Sequence, residues 1–437
     1  MRLVRRRAAL GSSVPGYFPT LLGRDVWAQS RPLLVAIALL GPAGTSETME
    51  TVLTDTFFPE KFTDRAETVR TRSSPSQIID HHRAPTRAYG ALHSNGPIQS
   101  MNIDRRVLLP DDVAIDIVYC GVCHSDLHMI HGEWDEQPFP MVPGHEFVSR
   151  VSAVGQAVTR FSPEDFSGVG CMVDSCCSCD NCKAGLEQYC TTGTTLTDAS
   201  PDPRGLGQTH GGYAERIVVR ECVVVKIPDG ADLASTSPLL CSGITTFSPM
   251  QHWRLGSGQH FAVIGLGGLG NMALKLAVHR GAEATVFTTS EDKAKDAYAV
   301  GAGDVVAWYP AATDPIPLVE HMANRFDFLL SIIPFPFDVS PFLPLLRQDG
   351  IFVDVGAPGA IAGVSGGALW NQRRSIAGSC IGGMPETQEV VDYCYTNAIR
   401  PQIELIPSDQ IDEAYLRVER KDVRYRFVID LASHRTG

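Results

Sequence analysis

The sequence lacks the long apolar run that a membrane-spanning helix needs. No stretch of its 437 residues approaches the roughly 18 consecutive apolar side chains that cross a bilayer. Positive charge is also scarce, since 37 Lys and Arg stand against 49 Asp and Glu, which gives a formal net charge of −12. An acidic chain of this kind is a poor partner for nucleic acid or for an anionic membrane surface. We therefore expect neither as a partner.

Cysteine is plentiful, but it is not arranged as in a small secreted disulfide scaffold. The 12 cysteines belong to a long chain, and five of them crowd between positions 176 and 190. Crowding of this kind is typical of metal binding in a reducing compartment. We therefore expect a cytoplasmic protein.

Residues 1–86 differ in character from the rest of the chain, because they are polar and only weakly periodic. Arg2 and the run Arg5–Arg7 precede the first acidic residue, Asp25, a pattern that is compatible with organelle targeting. We interpret this extension as a disordered or targeting segment without chemistry of its own.

Two different patterns of secondary-structure signals follow the extension, and they predict two domains. Residues 87–242 contain short strand-like runs broken by turns, which predict a compact, mostly antiparallel β domain. Residues 243–382 alternate strand and helix patterns, which predict a doubly wound parallel sheet of the Rossmann type. Residues 383–437 are expected to return to the first domain. The predicted fold class is α/β.

One cysteine and one histidine in the β-rich part have the character of zinc ligands. Cys123 lies in CGVCHSDLH and His145 lies in PGHE. A thiolate and an imidazole suit zinc. A catalytic zinc keeps one coordination position open and needs three protein ligands, and the third candidate is Cys241 in PLLCSGITT. The set predicts a metal that polarises an oxygen held in the fourth position.

Three polar residues near these ligands are candidates for supporting roles. The hydroxyl of Ser125 could reach the polarised oxygen, and His128 could pass a proton to water. Asp126 could hold the second ring nitrogen of His145, as carboxylates commonly do behind a metal-binding histidine.

A separate cysteine cluster has the spacing of a closed zinc site. The pattern C-x2-C-x2-C-x7-C comprises Cys176, Cys179, Cys182 and Cys190. Cys177 lies outside the pattern and is not expected to bind the metal. The alternative is an iron–sulfur cluster, whose bacterial motif opens in the same way. That motif continues with C-x3-C-P, which this chain does not have. Structural zinc is therefore the interpretation that we prefer.

A glycine-rich loop follows the strand-like FAVI and opens a helix pattern, the setting of a dinucleotide-binding turn. Glycines there allow a tight turn and close approach of the backbone to a pyrophosphate, whose charge faces the helix N-terminus. The candidate coenzyme residues in this loop are Gly265, Leu266, Gly267, Gly268, Leu269 and Gly270.

The end of the second strand favours NADP(H) over NAD(H). An Asp or Glu there would hold the free ribose 2′-hydroxyl of NAD. The chain instead has hydroxyls and a lysine, which can receive a 2′-phosphate, although acidic residues follow in the turn. The candidates are Thr288, Thr289, Ser290 and Lys293.

With these residues in place, the chain from Arg87 onward resembles the zinc-dependent medium-chain alcohol dehydrogenases of the cinnamyl alcohol dehydrogenase type. The stretches that carry the likeness include GVCHSDLH, VPGHE, GLEQYC, PLLCSGITT, GLGGLG and DVRYRFVID. The resemblance implies a GroES-like catalytic domain and a Rossmann coenzyme domain. It also implies a homodimer with two zinc ions per subunit, and NADP(H)-linked reduction of aldehydes.

The resemblance also implies roles for individual residues. Glu146 would lie beside the metal as a non-ligand or transient ligand, and Arg424 would approach the coenzyme phosphates. Two short segments would lie along the nicotinamide, namely Val355, Gly356 and Ala357, and Ser379, Cys380 and Ile381.

The predicted function is hydride transfer between nicotinamide C4 and a zinc-polarised carbonyl, with broad-range, aromatic or cinnamyl aldehydes as substrates. One alternative is an NAD-linked polyol or formaldehyde dehydrogenase on the same scaffold. The other is a catalytically inactive family member. Ser149, where the family usually has glycine, and the segment around Ile332 are the features that favour inactivity.

Overall fold

The computed structural model describes residues 84–134, 136–204, 207–308, 321–356, 359–361 and 363–432. All of them belong to one compact unit, Ile79–Gly437. The first described strand begins at Ala84 and therefore spans the predicted boundary at residue 86, while the rest of the predicted extension lies outside the described residues.

A mostly antiparallel sheet forms the first half of the fold, as the alternating strand-like runs predict. Its strand order is β16-β17-β3-β4-β5-β9, with β8 beside β3, and two small two-stranded sheets, β1-β2 and β6-β7, accompany it. The strands of this half are β1 Ala84–Gly90, β2 Gln99–Arg105, β3 Asp112–Val122, β4 Phe147–Val154, β5 Phe166–Val169, β6 Met172–Asp174, β7 Thr195–Leu196, β8 Arg216–Arg220, β9 Val225–Lys226, β16 Ile403–Pro407 and β17 Arg426–Asp430.

A six-stranded parallel sheet forms the second half. Its order, β12-β11-β10-β13-β14-β15, is that of a Rossmann sheet, so the predicted α/β class is confirmed. The inner strands are apolar and buried on both faces, as parallel strands covered by helices must be. The strands are β10 His260–Ile264, β11 Glu283–Thr288, β12 Asp304–Ala307, β13 Phe326–Ser331, β14 Leu346–Asp354 and β15 Ser375–Gly378.

The helices begin where their local sequences supply a start. The first opens at Cys123, where the carboxylate of Asp126 reaches back to the Cys123 N–H. The helix after β10 opens on the glycine-rich turn. The described helices are α1 His124–His131, α2 Asp180–Lys183, α3 Leu233–Thr236, α4 Ser242–His252, α5 Gly268–His279, α6 Ala294–Val300, α7 Gly366–Trp370, α8 Met384–Thr396 and α9 Ile411–Glu419. Within the described ranges, no helix is long and apolar enough to cross a membrane.

The returning C-terminal segment completes the antiparallel sheet. Strand β17 runs antiparallel to β3, so that Phe427 pairs with Val122, the residue before the predicted ligand Cys123. Strands β10–β15 all fall within residues 243–382, and β16 and β17 fall within residues 383–437. The predicted domain limits at residues 242 and 382 stay a prediction.

Candidate active site

Three predicted metal ligands converge on one buried point. Cys123 precedes α1, His145 precedes β4, and Cys241 precedes α4, yet their ligand atoms all lie within 4.8 Å of one another. The Sγ atoms of Cys123 and Cys241 are 3.8 Å apart. Tetrahedral zinc with Zn–S bonds of about 2.3 Å places its sulfurs about 3.8 Å apart. Donor chemistry and spacing therefore both fit zinc.

Asp126 lies behind the histidine, as its predicted role requires. One of its carboxylate oxygens is 3.0 Å from His145 Nδ1 and accepts the Gly144 N–H at 3.2 Å. The other oxygen accepts the Cys123 N–H at 2.8 Å and the Tyr213 hydroxyl at 3.0 Å. With Nδ1 facing this carboxylate, Nε2 of His145 is the nitrogen left for a metal.

The charges around the ligands favour a cation. The Cys241 thiol, which donates to Cys123 Sγ, holds the pKa of Cys123 well below its ordinary value, and the nearby charge of Arg426 adds to this effect. Burial disfavours the charged form of His145, but Asp126, Asp198 and Cys123 together outweigh burial and raise the pKa of the imidazole. The site thus favours an anionic sulfur beside a carboxylate-backed imidazole in a dry environment.

Asp198 is a second buried carboxylate beside the histidine, and the sequence analysis did not identify it. Its Oδ2 lies 3.7 Å from His145 Nδ1, and the side chain is almost fully buried. It follows the cysteine cluster in an irregular loop, where no local pattern marks it as part of a site.

Glu146 is not free to bind a metal, because an arginine pairs with both of its carboxylate oxygens. Arg426 Nε lies 3.0 Å from Oε1, and Nη2 donates to Oε2 at 3.1 Å. Both side chains are buried, and burial raises the pKa of Glu146 to about 8 against the opposing charge of Arg426. A Cβ on Gly121 would lie 2.0 Å from Glu146 Oε1, so glycine is required there.

Arg426 also connects this pair to the glycine-rich loop. Its Cζ lies 3.5 Å from the position that a Cβ would take on Gly268, the first residue of α5. A guanidinium at a helix N-terminus is a suitable contact for a phosphate. Sequence reasoning named the neighbouring Arg424 for the coenzyme phosphates and did not single out Arg426.

Arg424 is engaged by acidic side chains of the coenzyme-domain turn. It donates to Asp292 at 2.6 Å and lies 3.1 Å from Asp296. Asp292 belongs to the acidic turn after β11. The negative charge of this turn is the feature of the sequence that counts against a bound 2′-phosphate. The structure thus places a positive charge on that turn.

The two predicted proton-relay residues lie on the first turns of α1. Ser125 Oγ lies 3.5 Å from Cys123 Sγ, and the residue is half-buried. His128 is buried, and its Nδ1 forms a short contact with the exposed carboxylate of Glu133. Its Nε2 has no hydrogen-bond partner among the described residues. The His128 ring also stacks on Trp134 with centroids 4.9 Å apart.

The four cysteines of the second cluster also converge. The ligand atoms of Cys176, Cys179, Cys182 and Cys190 lie within 4.8 Å of one another. Two of the Sγ–Sγ distances are 3.8 Å and 3.4 Å, and three backbone N–H groups donate to the sulfurs. The geometry fits a closed tetrahedral zinc site.

The segment that carries this cluster, residues 176–190, is called the zinc-binding lobe, and it packs on the segment between β15 and α8. Glu187 accepts the Met384 N–H at 2.9 Å, and the Tyr189 hydroxyl accepts the Cys380 N–H at 3.1 Å. A Cβ on Gly383 would lie 1.7 Å from the Gly185 carbonyl oxygen, so the two backbones are in close contact. The cluster thus supports a segment predicted to lie along the nicotinamide.

The glycine-rich loop forms the tight turn that its sequence predicts. Gly265 has a φ of +108° and a Cβ there would lie 2.9 Å from the Ile332 side chain. A Cβ on Gly270 would lie 2.2 Å from the Gly265 carbonyl oxygen. Ile332 therefore packs beneath the loop. Leu266 is buried, whereas Gly267 has open space above it.

The other predicted coenzyme residues lie at the carboxyl edge of the parallel sheet, where open α/β sheets bind ligands. Thr288 ends β11, and its hydroxyl accepts the Ser290 N–H at 3.1 Å, beside the half-buried Thr289. Lys293 is buried and donates to the Lys421 carbonyl at 3.2 Å, so its ammonium group is not free at this edge.

The two predicted nicotinamide segments follow β14 and β15 at the same edge. The Val355 N–H donates to Ser331 at the end of β13, and the Ser379 N–H donates to Asp354 at the end of β14. Gly356 packs against the backbone of Ile332 and Ile333. Ala357 lies outside the described residues, and Ile381 has a φ of +40°.

Ser149 fits its buried position without leaving a polar atom unpaired. It faces Ser167 across the β4–β5 pair, donates to the Ser167 carbonyl at 3.1 Å, and lies 2.9 Å from the Ser167 hydroxyl. The residue therefore gives no structural reason to expect a damaged metal site.

The fold and the metal groups together define a two-domain, metal-assisted dehydrogenase, and sequence models of known families agree. The model described as alcohol dehydrogenase GroES-like domain matches residues 109–229. The model described as zinc-binding dehydrogenase matches residues 268–395.

Individual proteins give a closer assignment. The chain is 48% identical over 350 residues to NADP-dependent alcohol dehydrogenase C 1 of Mycolicibacterium smegmatis, covering 80% of this chain and 99% of the relative. It is 47% identical over 348 residues to aldehyde reductase YahK of Escherichia coli, covering 79% and 97%. Cinnamyl alcohol dehydrogenase SbCAD4 from Sorghum bicolor superposes with a TM-score of 0.76 at 34% identity, covering 80% and 98%. The chain belongs to the zinc-dependent medium-chain alcohol dehydrogenases of the cinnamyl alcohol dehydrogenase type.

Proposed function

We propose that this protein is a zinc-dependent, NADP(H)-linked alcohol dehydrogenase that reduces aldehydes, with aromatic and cinnamyl aldehydes among its substrates. The observation that carries the proposal is the convergence of Cys123, His145 and Cys241, with Arg426 linking the metal site to the glycine-rich loop. The names of the relatives support the coenzyme and the reaction type.

The chain's own residues bind, orient and exclude water in this reaction. Bound zinc supplies Lewis-acid polarisation of the substrate carbonyl, and NADPH supplies the hydride. Cys123, His145 and Cys241 would hold the metal, and Asp126 keeps the imidazole in one orientation. The buried Glu146–Arg426 pair fixes the guanidinium beside α5, where it can meet a coenzyme phosphate.

Two side chains on α1 provide a route for the proton. Ser125 is next to the metal group and is half-buried, so its hydroxyl can donate to a substrate oxygen. His128 contacts Glu133, whose carboxylate is about half exposed and reaches solvent. We assign Ser125 the donation to substrate and His128 with Glu133 the return of a proton from water.

The test of this proposal is a substrate and coenzyme panel on the zinc-loaded enzyme. We expect NADPH oxidation with benzaldehyde and cinnamaldehyde, and weaker oxidation of NADH with the same aldehydes. Formaldehyde and polyols are included with both coenzymes, because they distinguish the NAD-linked alternative. A zinc-loaded enzyme without turnover on any aldehyde or alcohol would favour the inactive alternative.

The coenzyme preference gives a prediction at the end of β11. Replacing Thr288 with Asp should lower kcat/KM for NADPH by about 100-fold, because a carboxylate there repels a 2′-phosphate, and should leave NADH use within a few-fold. Steady-state kinetics with both coenzymes measures the change. Thr288→Asn is the matched control, since asparagine has the same shape as aspartate but carries no charge. Equal losses with both coenzymes in the Asp variant would contradict the assignment.

Tyr213 gives a second prediction, because it positions Asp126 without contacting the metal. Its hydroxyl is fully buried and donates to the carboxylate that faces His145. Tyr213→Phe should lower kcat about 10-fold and hasten zinc loss to a chelator by about 10-fold, with KM for NADPH unchanged. Tyr393→Phe serves as the control, because the Tyr393 hydroxyl pairs with His279 rather than with Asp126. A variant with faster unfolding but unchanged zinc release would assign Tyr213 a packing role instead.

A homodimer is the assembly that we propose. Strand β15 ends the six-stranded sheet, with no second partner strand among the described residues, and the nearby Trp370 side chain is 76% exposed. An edge strand of this kind can pair with its copy in a second subunit. Light scattering should give twice the mass of one chain, and a monomer would contradict the proposal.

A further inference from the structure

Two cysteines that belong to neither metal group lie against each other on the surface. The Sγ atoms of Cys177 and Cys222 are 3.8 Å apart, and both residues are exposed. Among the described residues, neither of them joins a group of three or more potential metal ligands. Two thiols in contact without a third ligand are a poor metal site but a good disulfide pair.

The pair is held in place from both sides. Cys177 has a φ of +53°, and its Sγ lies 3.5 Å from both the hydroxyl and the carbonyl oxygen of Ser175. Cys222 lies in the 3₁₀ turn that follows β8. Arg220, the last residue of β8, donates to Cys177 Sγ at 3.3 Å and to Asp174 at 2.6 Å. The strand end and the cysteine loop are therefore fixed relative to each other.

We propose that Cys177 and Cys222 form a reversible intramolecular disulfide when the protein meets a hydroperoxide. One thiol attacks the peroxide oxygen, so that the O–O bond breaks, the sulfur becomes a sulfenic acid, and the peroxide leaves as water or an alcohol. The second thiol then displaces hydroxide from the sulfenic sulfur, the S–S bond forms, and one more water is released. A dithiol reductant restores both thiols and is oxidised to its own disulfide.

The bond would tie the zinc-binding lobe to the sheet. It closes a loop of 222 − 177 − 1 = 44 residues, and Cys177 lies between the predicted ligands Cys176 and Cys179. Restraining this loop opposes the opening that releases a metal. The proposal is independent of the coenzyme and of the substrate.

The experiment uses the enzyme loaded with zinc, exposed to stoichiometric hydrogen peroxide. We expect an intact mass lower by two hydrogens, a Cys177–Cys222 link in peptide maps, and full reversal by dithiothreitol. In the Cys222→Ser variant, Cys177 should accumulate as a sulfenic acid that dimedone traps. Cys380→Ser, on another exposed free cysteine, should retain the link.

A second measurement addresses the consequence for the metal. The oxidised enzyme should lose zinc to a chelator at least about three times more slowly than the reduced enzyme, and Cys177→Ser should abolish the difference. The proposal is overturned if peroxide produces links among the four zinc ligands with zinc release. It is equally overturned if Cys177 and Cys222 remain thiols while other cysteines oxidise, or if the link forms between two chains.

Discussion

Replacing Cys241 with alanine is expected to lower kcat/KM for aldehyde reduction by about 10⁴-fold, because the remaining Cys123 and His145 cannot hold a catalytic zinc on their own. The zinc content should fall from two ions to one ion per chain. Binding of NADPH should persist, since the glycine-rich loop is untouched. Steady-state kinetics, metal analysis and the fluorescence of bound NADPH measure these three quantities.

The control for this variant is Cys394→Ala. Cys394 is as deeply buried as Cys241, but it lies in the hydrophobic core without a metal group around it. It should keep two zinc ions and turnover within about three-fold, with a moderate loss of stability. If Cys241→Ala retained two zinc ions and normal turnover, the catalytic assignment of all three ligands would be wrong.

Replacing Cys182 with serine is expected to remove the other zinc and to destabilise the whole chain. A closed four-thiolate site contributes directly to folding, so we expect the free energy of unfolding to fall by at least about 3–5 kcal/mol. Turnover should fall as well, because Tyr189 and Glu187 of the lobe hold the segment around Cys380 and Met384. Denaturant unfolding, zinc content and kcat measure the outcome.

Cys177→Ser is the matched control, because Cys177 lies in the same loop but outside the ligand group. It should keep both zinc ions and the stability of the parent protein under reducing conditions. A Cys182→Ser protein with two zinc ions and unchanged stability would show that the cluster is not a zinc site. If the parent protein, which retains Cys182, were brown, its colour would instead indicate an iron–sulfur cluster.

The sequence was most informative where a function depends on residues that are close together in the chain. The spacing of Cys176 to Cys190 and the strand–glycine–helix order around Gly265 each describe a local turn, whose geometry follows from a few residues. The alternation of strand and helix patterns likewise predicted the parallel sheet. Even Asp126 was found, because it lies in the first turn of α1, three residues after Cys123.

Contacts between distant segments were the part that sequence reasoning could not supply. Arg424 and Arg426 have the same chemistry and lie two residues apart, so nothing local decides which of them faces the glycine-rich loop. The pairing of β17 with β3 decides it, and it places Arg426 against Glu146. Tyr213 was missed for the same reason, since it reaches Asp126 across 87 positions.

Glu133 shows a milder form of the same limitation. It lies five residues after His128 and beyond the end of α1, so helical spacing does not pair the two side chains. The left-handed Gly132 ends the helix and turns the chain back toward His128. A turn conformation, rather than a motif, thus determines the partner of the histidine that is predicted to relay the proton.

The position of β17 has a consequence for how this protein is made. The strand lies between β16 and β3 rather than at the rim of its sheet, and it is synthesised long after β3. The antiparallel sheet therefore cannot finish assembling until β17 has been made, and β3 must wait with one edge open until then. A premature stop codon before Arg426 would remove this strand and leave its partner Glu146 as an unpaired acid in the interior. Quality-control proteases would meet an incomplete sheet rather than a slightly shortened enzyme.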